Sequence, residues 1–132
     1  MKRIVYISFV LFIATTLSSG LWPSSSGTAA PRRETAIVEF AETVKLNDVL
    51  LKGEYLIVHD EERMARGEPC TYFYRGNRQD EAKLATAFHC IHVDRGRAKA
   101  FKVTFSRHST PYDVPEIKEI QFAGSKDGHQ VP

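Results

Sequence analysis

Five histidines and two cysteines are the side chains of this 132-residue chain best suited to hold a metal or carry a reaction: His59, His89, His92, His108 and His129, with Cys70 and Cys90. The densest group is His89-Cys90-Ile91-His92. Side chains alternate in direction along a strand, so Cys90 and His92 share one face and His89 lies on the other. A cysteine and a histidine two positions apart can begin a copper or zinc site if other segments complete the ligand set. His129 follows Gly128 in a polar tail and can reach back, and His59 ends another strand. The candidate metal set is therefore His89, His92 and His129. Against it, Ala85, Ala87, Ile91 and Val93 share the side of His89, as around a core histidine with one hydrogen-bond partner. The segment also lacks the C-x-x-C or H-E-x-x-H spacing that makes a metal motif specific.

Other chemistry is thinly supported. Cys70 and Cys90 are expected to form a structural disulfide if the chain reaches an oxidising compartment. Such a loop closure is worth about 3 kcal/mol in the chain-entropy picture. No nucleophile motif and no catalytic residue is identified, so an enzyme is not the expected reading. Glu61-Glu62 and Asp80-Glu81 are neighbouring loop carboxylates and read as solvated. Tyr72 and Tyr74 share a face opposite Phe73. They could line an exposed platform for a protein, peptide or glycan ligand, or else cover the sheet and pack on the cysteines.

The elements that must position these residues are strands. Phe101, Val103 and Phe105 alternate with Lys102, Thr104 and Ser106, the clearest half-buried strand in the chain. Ala36, Val38, Phe40, Val44 and Leu46 share one parity, which predicts a strand over 36–46 broken near Ala41-Glu42. Turn residues occupy 47–53, and strands follow over 54–59 and 70–75. A charged loop at 60–69 has room for a short helical turn at Glu61–Ala65. The apolar run from Leu84 to Val93 reads as one long central strand. The last strand is expected over 116–123. About six strands with short connections predict an all-β fold, a small antiparallel β-sandwich or barrel stapled by the cysteine pair.

Residues 1–20 have the order of an export signal: Lys2 and Arg3, an apolar run from Ile4 to Leu17, then Ser18-Ser19-Gly20. The expected organisation is a signal over 1–20 with cleavage as late as 29, a flexible linker over 21–34, a β-domain over 35–124 and a polar tail over 125–132. The full chain carries 18 basic and 16 acidic residues. Removing Lys2 and Arg3 brings the two counts level, so the charge gives no case for a nucleic-acid partner. Attachment to a membrane is expected only if the N-terminal segment stays uncleaved.

The stretch Val49 to Val58 resembles small exported bacterial β-domain proteins, in which an apolar residue, a glycine and a tyrosine introduce a core strand. This chain has Leu51-Lys52-Gly53 where those have Pro-Ala-Gly, and no activity comes with the resemblance. The leading expectation is a secreted or periplasmic, non-enzymatic β-domain acting as a binding or envelope-associated module, without a cofactor. The alternative is an extracytoplasmic copper- or zinc-binding protein.

Overall fold

A computed structural model describes residues 27, 29–106, 110 and 112–132. The expected export segment, half of the expected linker and His108 lie outside the described residues. Among the described residues no helix is long and apolar enough to cross a membrane.

The described residues form two antiparallel sheets of four strands each. The first contains β1 (Arg33–Leu46), β2 (Val49–Asp60), β3 (Thr71–Arg75) and β4 (Leu84–Phe88), in that order. One short helix, α1 (Glu61–Ala65), follows β2. Asp60 caps it by accepting hydrogen bonds from the amides of Glu62 and Arg63, at 3.0 and 3.1 Å. The second sheet contains β5 (Ile91–Asp94), β6 (Lys102–Phe105), β7 (Ile117–Gln121) and β8 (Asp127–Gln130), in the order β5-β8-β7-β6.

β1 and β2 form a long hairpin closed by Asn47-Asp48, with Leu46 paired to Val49. Asn47 takes a φ of 51°, a left-handed conformation that asparagine tolerates and two-residue hairpin turns require. The register shifts between Phe40 and Val44, where the sequence alternation falters at Ala41-Glu42. Leu51, Tyr55 and Ile57 of β2 are buried on one face, against Ile117, Ile120 and Phe122 of the second sheet in a single core. That shared apolar face holds the two sheets together.

Among the described residues eight strands stand where about six were expected, for two reasons. Residues 84–93 are not one central strand. β4 ends at Phe88, His89 and Cys90 are extended connector, and β5 begins at Ile91 in the other sheet. The apolar residues of the run do not share one buried face: Phe88 is buried at the end of β4, while Ile91 at the start of β5 is exposed. The second reason is Asp127–Gln130, expected as tail beyond a domain ending at 124. It is β8, inserted between β5 and β7. Its polar composition hid it: Gly128 and His129 are its buried residues. A side chain at Gly128 would put a Cβ 2.6 Å from the Glu119 carboxylate, so a larger residue there must push the Arg95–Glu119 ion pair aside.

Candidate metal centre

Strand alternation carries one histidine from each sheet into the interface. On β2, His59 follows Leu51, Tyr55 and Ile57 on the inward parity and is 2% exposed. On β8, His129 is paired to Ile120 on one side and His92 on the other, and is 1% exposed. The two imidazoles lie face against face, ring centroids 4.0 Å apart and planes 34° from parallel. Phe122 packs beside both.

The cysteines close one edge of this pair. Cys70 immediately precedes β3, and Cys90 lies in the connector that leaves β4 for β5. Their sulfurs are 2.6 Å apart. A disulfide bond is 2.03–2.05 Å long, and both cysteines are free. The expected disulfide is thus corrected to a thiol pair. The reading of proximity was sound, because strand pairing does bring the two positions together, but proximity does not fix bonding state.

The Cys70 sulfur accepts a hydrogen bond from the Cys90 amide at 3.0 Å. Hydrogen bonding from Cys90, and then from His59, pulls the Cys70 thiol well below its ordinary range, while Cys70 and burial push the Cys90 thiol up. The shared hydrogen bond thus favours the charged form of Cys70 over that of Cys90. The Cys90 sulfur lies 3.5 Å from His129 Nδ1. Ligand atoms of His59, Cys90 and His129 all fall within 4.8 Å of one another.

Glu34 of β1 faces the opposite edge of the rings. Its Oε2 is 3.7 Å from His59 Nδ1 and 3.6 Å from His129 Nε2. All three atoms are buried without a hydrogen-bond partner. Burial, and next the nearby His59, lower the His129 imidazole to about 4, which keeps it neutral and able to act as a ligand at ordinary pH.

Of the expected metal set, only His129 belongs to this cluster. His89 is exposed on the connector, because the strand thought to bury it ends at Phe88. His92 shares the inward parity but sits on an edge strand. Its Nε2 pairs with Asp127 at 2.9 Å and its side chain is 59% exposed. The tyrosines are no open platform. Tyr72 and Tyr74 stack, bury with Val58 and are covered by α1 and the turn at Glu81–Lys83. Arg63 lies 4.4 Å over the Tyr72 ring, and the Tyr74 hydroxyl donates to Glu81 at 3.0 Å. Sequence reasoning passed over Glu34, placed in a linker, and gave Cys70 first as a bridge partner, with the thiols as metal ligands the alternative. The inward parity of His59 was the one available signal for that residue. Comparison with protein-family models, with curated proteins and with solved structures gives no match.

Proposed function

We propose that this chain is an exported metal-binding domain whose centre is built from His59, Cys90 and His129, with Cys70 as the fourth donor. The observation that carries the reading is the convergence of ligand atoms of His59, Cys90 and His129 within 4.8 Å of one another at the join between the sheets, the two histidines buried and Cys90 half-buried. Two nitrogen and two sulfur donors suit zinc in a closed tetrahedral site, or copper(I), which favours thiolates. Thiolate character on Cys70 and a neutral His129 are the ligand states that either ion needs. A tetrahedral ion with metal–sulfur bonds of about 2.3 Å parts the sulfurs to roughly 3.8 Å. Loading therefore opens the thiol pair and links both sheets through one ion. The sheets sharing a single core supports a sandwich frame around the centre.

Calorimetric titration of zinc, and of copper(I) under reducing conditions, into reduced protein tests the reading. One equivalent is expected to bind, with loss of binding in Cys90→Ser and His129→Phe. At a hundredfold excess of ion over Kd the folded state gains about 2.7 kcal/mol. The absence of heat with either ion sinks the proposal. A second reading then takes its place, an exported module that binds a protein, peptide or glycan. It is favoured by Ile37 and Leu50, exposed at 58% and 59% on the β1–β2 hairpin. Export itself rests on the pattern of residues 1–20. Mass measurement of the protein from separated cell fractions checks it: an intact N-terminus in the cytoplasmic fraction alone would contradict it.

A further inference from the structure

We propose that Glu34 is the positioning carboxylate of this centre, accepting a hydrogen bond from each histidine and so fixing which ring nitrogen each offers to the ion. The inference rests on the metal reading above and concerns a residue outside the ligand set.

The argument begins with the orphaned atoms. Among the described residues, the buried side-chain polar atoms without a partner are Glu34 Oε2, His59 Nδ1 and His129 Nε2. They face one another at 3.6 and 3.7 Å, just beyond hydrogen-bond range. Buried polar groups are almost always satisfied, so three that converge on one point call for a cause.

The cause lies in imidazole chemistry. A neutral ring carries one N–H, and a metal can take only the other nitrogen. His129 turns Nδ1 toward the Cys90 sulfur, at 3.5 Å. An ion on that edge puts the His129 proton on Nε2. His59 turns Nδ1 toward Glu34, which leaves Nε2 for the sulfur side and puts its proton on Nδ1. The two nitrogens forced to carry protons are the two orphans. A carboxylate oxygen has lone pairs for both, so one residue satisfies the whole set. A contraction of under about 1 Å brings both contacts to ordinary N–H···O length. This is the arrangement in which a carboxylate orients ligating histidines and raises their basicity.

Glu34 is itself held. Its Oε1 faces Arg32 Nε at 3.6 Å. Arg32 is paired in turn with Asp127 of β8 and with Glu61. The carboxylate is thus anchored to the strand that carries His129, and Arg32 accounts for one oxygen only.

Two measurements on the full chain test this. Histidine nitrogen NMR on zinc-loaded protein is expected to show His129 protonated at Nε2 and His59 at Nδ1. Zinc affinity is expected to fall about 10–100-fold in Glu34→Ala. In Glu34→Gln, which keeps the shape but not the charge, a smaller loss is expected, with the metal-free fold of both variants checked by amide dispersion. If wild type loads but shows the reverse tautomers, or if Glu34→Gln and Glu34→Ala bind as tightly as wild type, Glu34 has no positioning role and the metal reading stands alone. If wild type takes up no zinc, both readings fall.

Discussion

β2 and β3 bury polar side chains on both of their faces, and the two sets are treated differently. On the outer face Tyr72 and Tyr74 have their needs met: Arg63 covers the first ring, and Glu81 and Gln79 bind the second hydroxyl. On the inner face His59 meets His129 and Glu34 with three atoms unsatisfied. The first set is finished by the chain alone. Burial without a partner costs about 1–3 kcal/mol per group, so the second set is held in place at a cost that a ligand can offset. The closed network is what a structural cluster needs, and the open one is what motivates the metal proposal.

The contrast can be broken or sharpened by experiment. The largest effect is expected from Tyr74→Ala, which empties a fully buried site on the outer face. A loss on the order of 3–5 kcal/mol in denaturant unfolding is expected, equal in reduced protein with and without zinc. A loss that depends on zinc would tie the outer cluster to the centre and erase the distinction.

Acidification acts on the inner set alone. His129 in the fold is lowered from an ordinary 6.5 to about 4, so between those values the unfolded chain holds the extra proton. Stability of metal-free protein is therefore full above pH 6.5 and declines as pH falls toward 4, by up to about 3 kcal/mol. Asp127, held low by Arg32, and Glu119, held low by Arg95, lose their contributions only further into acid. Unfolding curves at stepped pH check this, and a flat profile between 6.5 and 4.5 would contradict it.

His129→Phe removes an orphaned nitrogen while keeping the volume. Metal-free stability is expected to hold or to rise by about 1–2 kcal/mol, since replacing unsatisfied buried polar groups is often favourable. The acid-dependent loss should vanish with it. A fall of more than about 2 kcal/mol would mean that the histidine pair stabilises the fold by itself.

The smallest effect is expected from Tyr74→Phe. It deletes one satisfied hydroxyl, at about 1 kcal/mol, and leaves zinc binding unchanged. A change in zinc affinity would count against two independent clusters.

The parts of the molecule that alternate were legible in the sequence. The 36–46 strand, its break near Ala41-Glu42 and the turn at Glu61–Ala65 follow from local pattern, because each buries one side of a local element. β8 was not legible, since Asp127, Gly128, His129 and Gln130 have no apolar rhythm and are buried by partners distant in sequence. The centre failed to show for the same reason. His89 and His92 stand together in sequence but on a connector and an edge strand. His59 and His129 stand far apart and meet only because two sheets face each other. Alternation along β2 could have pointed His59 inward, and nothing local could have named its partner.

The insertion of β8 between β5 and β7 also bears on how the chain acquires its shape. The first sheet is sequential, each strand pairing with the next, and can zip from local hairpins. The second cannot close in order of synthesis. β5 waits without its neighbour while the chain runs on through β6 and β7, and only the arrival of 127–130 supplies the missing strand. The late segment is also the one that brings His129. Closure of the second sheet and the meeting of His129 with His59 thus depend on the same non-local pairing, and a chain interrupted before residue 127 is expected to have neither.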